Sequence, residues 1–122
     1  MAAAIGYLVI DSRDPARLAP FWCALLGVAV DTEIGAGEFL VLSPTESGLT
    51  VGFQRVPEAK TGKNRLHLDL VVDDLDAATA EIESLGGRWL EPGRTRELEG
   101  FRWRVMADPD GNEFDIDVLP PG

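Results

Sequence analysis

The feature that most constrains what this chain can fold into is an internal duplication with a spacing of sixty residues. Tyr7 and His67, Asp14 and Asp74, Trp22 and Ile82, Leu25 and Leu85, and Gly27 and Gly87 all fall in this register. Each copy reads as βαβββ. In the first, Ile5 to Asp11 alternates as a strand, and Asp14-Pro15 opens a helix as N-cap and first helical residue. Leu18, Phe21, Trp22, Leu25 and Leu26 lie on one helical face, and Gly27 supplies the stop. Pro20 inside this helix predicts a kink there or a start later than Pro15. Three more strands are expected at Val28 to Ile34, Glu38 to Leu42 and Leu49 to Arg55, divided by turn-forming stretches.

The second copy starts with a strand at Arg65 to Val72, which holds the only histidine of the chain, His67. A helix from Asp74 to Leu85, stopped by Gly86-Gly87, is followed by strands at Arg88 to Glu91, Phe101 to Ala107 and Asn112 to Val118. Between the copies, residues 57–64 lose all apolar periodicity and read as a linker. The expected architecture is one α+β domain spanning 1–122, with module one at 1–56 and module two at 65–119. Two half-domains, each too small to bury a curved sheet alone, predict a pseudo-twofold pair of curved mixed sheets around a cavity, with helices outside.

At 122 residues the chain has the length of one domain and can bury a core without staples. Its net charge of −10 repels phosphate backbones and anionic lipid surfaces, so nucleic-acid and membrane partners are not expected. The single cysteine, Cys23, rules out an internal disulfide and reads as a small hydrophobe in an apolar helix face. The apolar run Met1 to Ile10 lacks the features of a signal peptide, and a cytoplasmic location is the expectation.

Strand periodicity then groups the polar candidates. Asp69 lies two residues beyond His67 and shares its face, so an ordered His-Asp pair or a solvent-facing carboxylate are both open. Glu113, Asp115 and Asp117 alternate with Phe114, Ile116 and Val118, which puts three carboxyls on one face of the last strand. If that face lines a cavity, crowding raises at least one of their pKa values. Trp22 reads as core; Trp89 and Trp103 can show to either side of their strands.

These residues resemble a known family. Asp74-Leu75-Asp76-Ala77-Ala78 after a His-bearing strand, Leu85-Gly86-Gly87, and Asp108-Pro109-Asp110-Gly111-Asn112-Glu113-Phe114 before the last strand resemble the vicinal oxygen chelate superfamily. That superfamily includes glyoxalase I, extradiol dioxygenases and bleomycin resistance proteins. Phe53-Gln54-Arg55-Val56-Pro57-Glu58 and Lys63-Asn64-Arg65-Leu66-His67-Leu68-Asp69-Leu70 are similar to its glyoxalase-like domain branch.

The resemblance implies a small organic ligand held between the modules, a homodimer, and a divalent ion (Zn, Ni, Mn or Fe) on residues from four strands. The matching positions are Tyr7, Gln54, His67 and Asp115. Of these only His67 and Asp115 are ordinary metal ligands; Tyr7 stands where His or Gln is expected, and Gln54 where Glu is expected. Such a set holds an ion loosely, so an incomplete metal site, or none, is the alternative. The expected polar site is His67, Asp69 and Asp115, with Tyr7, Gln54, Glu113 and Trp103 contacting the ligand. The implied activities are binding of a small molecule, a metal-dependent lyase, isomerase or dioxygenase reaction, or drug sequestration of the bleomycin-binding type.

Overall fold

A computed structural model describes residues 1–122, which form two compact units, Met1–Ala59 and Lys60–Gly122. The division falls inside the stretch 57–64, which lacks periodicity. The class is α+β, as the periodicities predict: each unit has one helix and one mixed sheet.

The first unit runs β1 (Leu8–Ser12), α1 (Pro15–Leu26), β2 (Val30–Ile34), β3 (Phe39–Leu42) and β4 (Val51–Arg55). Its sheet has the order β1-β4-β3-β2, with β1 parallel to β4 and the other pairs antiparallel. Asp14 caps α1, its side chain accepting from the Arg17 backbone N–H, and Gly27 closes it in the left-handed region at φ 68°. The helix starts at Pro15 and continues through Pro20, so the expected later start does not hold. Pro20 and Ala16, whose carbonyl loses its usual donor, are both exposed, so solvent can serve that carbonyl. Leu18, Phe21 and Trp22 are buried beside Leu40, Leu42, Val51 and Phe53 from β3 and β4.

The second unit runs β5 (Asp69–Val71), α2 (Leu75–Ser84), β6 (Arg88–Trp89), β7 (Arg96–Leu98), β8 (Phe101–Ala107) and β9 (Glu113–Val118). Its sheet has the order β5-β9-β8-β6, and β7 pairs with β8. Asp74 caps α2 by accepting from the N–H groups of Asp76 and Ala77. Leu85 is the C-cap and Gly86 takes the left-handed conformation at φ 96°, so α2 stops two residues earlier than the sixty-residue match of Gly27 with Gly87 implies.

Two expectations are corrected here. The strand at Arg65 to Val72 is pared down to Asp69–Val71, leaving His67 ahead of it, and β7 makes the second unit βαββββ instead of βαβββ. Arg96-Glu97-Leu98 is short, polar and mostly exposed, so it has no apolar alternation to reveal it; its pairing with β8 across Glu99-Gly100 makes it a strand.

The alternation of β8 and β9 divides the unit. Met106, Phe114 and Ile116 are buried with Leu75, Ala78 and Ile82 of α2, while the residues between them face away from the helix. On the helix side Arg104 is 8% exposed. It donates to Thr95 Oγ1, Thr79 Oγ1, the Leu75 carbonyl and Asp76, and its guanidinium lies 4.2 Å from the centre of the Trp89 ring. Arg104 therefore ties β8 to the first turns of α2, and truncation would leave Thr79 and the Trp89 face against a cavity. Arg104→Ala is expected to lower unfolding stability by about 2–4 kcal/mol in urea titration, and Arg104→Lys to recover less than half of it, because an ammonium cannot reproduce the fork.

Candidate functional site

The face of the second unit turned away from α2 forms a concave cavity of about 690 Å³, within the size range of small-molecule sites. It has three parts. Glu113, Asp115 and Asp117 of β9 line one side, with His67 and Asp69 at the edge formed by β5. Trp103 and Val105 of β8 form the middle, with Leu98 and Phe101 paired at the β7–β8 end. Glu91 and Arg96 close the far side.

β9 is parallel to β5 with Asp69 beside Asp115, and antiparallel to β8 with Trp103 beside Asp117. This register brings His67 Nε2 to 3.2 Å from Asp69 Oδ1 and 3.5 Å from Asp115 Oδ2. His67 and Asp69 are each about half exposed (48%), whereas the Asp115 side chain is 13% exposed. Burial pushes the Asp115 carboxyl above its ordinary value, the Asp69 charge adds to this, and His67, Arg96 and Lys63 oppose it.

Asp117 is more strongly affected. Burial, then a hydrogen-bonding contact with the Asp69 carboxyl, then the charges of Asp69 and Asp115, push it up to about 7. Its Oδ1 is buried without a partner. The remaining charges are matched locally. Lys63 pairs with Glu113, and Asn64 accepts from the Glu113 backbone N–H, fixing the 60–68 segment to the rim. Arg96 holds Glu91 through two hydrogen bonds of 2.8 and 2.6 Å and lowers its pKa.

Of the residues expected to act, His67, Asp69, Glu113, Asp115 and Trp103 line this one cavity. Tyr7 and Gln54 belong to the first unit, where Tyr7 is exposed just ahead of β1 and Gln54 is exposed on β4 opposite Asp11. The strand registers give a sharper comparison. Val9 of β1 pairs with Gly52 as Asp69, sixty residues later, pairs with Asp115; Asp11 pairs with Gln54 as Val71 pairs with Asp117. The first-unit counterpart of Asp115 is thus a glycine with no donor, and a Cβ there would sit 3.2 Å from the Leu40 carbonyl oxygen and 3.4 Å from the Phe39 ring.

Sequence reasoning missed Glu91, Arg96, Leu98 and Phe101. The apolar Leu98-Glu99-Gly100-Phe101 turn is a hairpin signal that could have located them. Trp89, undecided from sequence, is on the Arg104 side, and Cys23 is partly buried with its thiol pKa raised by burial.

Comparison with solved structures places this fold among glyoxalase/bleomycin resistance/dioxygenase proteins. Such a family enzyme from Burkholderia phytofirmans PsJN superposes with a TM-score of 0.79 at 19% identity, covering 96% of this chain and 99% of that one. Protein ATC0852 from Agrobacterium tumefaciens gives 0.79 at 19% identity, with 98% and 100% covered. Oxidase ChaP-H2 gives 0.71 at 23% identity, with 100% and 98% covered. No curated protein matches the chain. The glyoxalase-like domain model matches residues 7–116, and the chain belongs to that family, within the vicinal oxygen chelate superfamily. No helix is long and apolar enough to cross a membrane.

The Asp117 shift has a defined consequence for stability. A carboxyl raised from 3.8 to about 7 binds more protons folded than unfolded across that interval. Its stabilising contribution is present below about pH 4 and is lost as pH rises through about 7. Asp117→Asn is expected to leave Tm nearly unchanged below about pH 4 and to raise it progressively above that, with the full rise reached by about pH 8, a divergence that thermal denaturation across this range would measure.

Proposed function

We propose that this protein binds a small organic molecule in the cavity of its second unit, with His67, Asp69 and Asp115 as the polar floor and Trp103 as the wall. The observation that carries this reading is the meeting of a fully polar row and an apolar wall on one concave face. Asp69 holds the His67 ring by its Nε2 edge, and the partly buried Asp115 presents a carboxyl of raised pKa to the same space, so the pair can accept or donate a proton at a ligand oxygen. A fragment screen by ¹H–¹⁵N NMR is expected to give ligands that shift the Trp103 indole N–H and the Val105 and Asp115 amides together. Ligands that shift only residues elsewhere would sink the reading.

A second reading, a metal-dependent lyase, isomerase or dioxygenase, is favoured by one specific feature. One donor atom each from His67, Asp69 and Asp115 lie within 4.8 Å of one another. One imidazole and two carboxylates suit a borderline divalent ion such as Zn, Mn or Fe, and Asp69 supplies a donor outside the four positions implied by resemblance. Bound there, the ion would supply Lewis acidity toward adjacent ligand oxygens. The names of the Burkholderia enzyme and of oxidase ChaP-H2 accord with such chemistry. Metal analysis and calorimetry on chelator-stripped protein reloaded with Mn²⁺ or Zn²⁺ test it. One equivalent is expected, lost in His67→Ala and Asp115→Ala and weakened about tenfold or more in Asp69→Asn. Absence of binding at about 50 μM metal, a concentration corresponding to roughly 6 kcal/mol of affinity, would remove the metal reading and leave ligand binding standing.

A further inference from the structure

His67 reaches Asp69 and Asp115 from outside the sheet. β5 begins two residues after it, so no ladder partner holds its backbone. Packing does not hold it either: of residues 61–67 only Asn64 is partly buried, and Leu66 is 88% exposed. The imidazole is therefore placed by something other than strand pairing or core burial, and the hydrogen bonds at the start of β9 supply it.

The parallel register fixes where each bond of the β5–β9 ladder falls. With Asp69 beside Asp115, the Asp115 N–H donates to the Leu68 carbonyl at 2.8 Å, and the next rung back along both strands would join the Glu113 N–H to the Leu66 carbonyl. That rung is not direct. The Glu113 N–H donates to Asn64 Oδ1, and Asn64 Nδ2 donates to the Leu66 carbonyl, each at 3.2 Å. A side-chain amide thus fills the rung, accepting on one side and donating on the other, the single orientation that satisfies both backbone groups. The insert keeps those groups paired while holding residues 65–67 off β9 by the width of an amide. It is the physical reason that β5 starts at Asp69 and not at Arg65.

We infer that Asn64 is a positioning residue of the site: its side-chain amide, standing in for one rung of the sheet, sets the His67 ring over Asp69 and Asp115. The inference rests on the reading of those three residues as the polar floor of a binding site and adds the residue that assembles it. A direct rung would carry His67 into β5 and set it beside Glu113, about 6–7 Å along β9 from Asp115. With the amide in place, the ring instead meets Asp69 at 3.2 Å and Asp115 at 3.5 Å. Lys63 also ties the segment to Glu113, but its side chain is 73% exposed, and a solvated ammonium is a point charge that imposes little direction.

The chain has one histidine, so its ring signals are unambiguous in NMR, and nuclear Overhauser contacts from that ring to the Asp115 side chain report its position in the free protein. The wild type is expected to show them and Asn64→Ala to lose them. Asn64→Asp keeps an acceptor for the Glu113 N–H but turns a carboxylate toward the Leu66 carbonyl; it should keep the Glu113 amide protected from exchange and still lose the ring contacts. A side chain that merely tied the segment down would keep both. Lys63→Met, which removes the ion pair and leaves the amide, should retain the ring contacts. Ring contacts that persist in Asn64→Ala or Asn64→Asp, or that vanish in Lys63→Met, would overturn the inference and leave the binding reading standing. If Asn64→Ala does not fold, Asn64→Asp and Lys63→Met carry the same decision. A wild type without the contacts would remove the polar floor itself. Zn²⁺ titrated by calorimetry into chelator-stripped Asn64→Ala should bind about tenfold more weakly than to the wild type, and equal affinity would count against positioning; the ring contacts decide the inference even where the wild type takes no metal.

Discussion

The second unit depends on the position of one strand. β9 lies between β5 and β8 and is bonded on both edges, parallel to one and antiparallel to the other. Its alternation is therefore held in register from two sides. Phe114 and Ile116 are committed to the helix side, at 1% and 0% exposure, and Glu113, Asp115 and Asp117 must face the other way. A slip by one residue would bury three carboxyls under α2 and expose the core. The cost of that slip is what keeps the acids gathered, although their mutual repulsion alone would scatter them.

That gathering produces the electrostatics of the site. Asp115 and Asp117 are both partly buried and both feel the Asp69 charge, and Asp117, with a hydrogen-bonding contact to Asp69 as well, is pushed up to about 7. Two of the cavity cations, Lys63 and Arg96, are paired with Glu113 and Glu91 at the rim and only partly offset this. The buried Arg104 does no such work. It lies on the opposite face of β8, stacked on Trp89, where it anchors the first turns of α2. The same strand thus carries a structural cation on one side and the cavity wall on the other.

The duplication does not make the two units chemically equivalent. Parallel pairing puts Gly52 where the second unit has Asp115, and a Cβ there would crowd the Leu40 carbonyl oxygen and the Phe39 ring. The first unit keeps the fold of the repeat without its carboxylate. The donors that converge, His67, Asp69 and Asp115, all come from the second unit.

Much of this was legible in the chain itself. The sixty-residue spacing, the caps at Asp14 and Asp74 and the alternation of β9 are local, and local rules of helix period, strand period and capping suffice to read them. They determined the α+β class, the repeated helix-and-sheet unit and the sharing of one face by Glu113, Asp115 and Asp117. What only the tertiary structure decided is which strands lie side by side. The pairing of β5 with β9 brings His67 to Asp115 across nearly fifty residues, and the pairing of β7 with β8 makes a strand of Arg96-Glu97-Leu98. Neither can be read from sequence because register between distant strands is set by the summed packing of the whole sheet, and no local pattern records it.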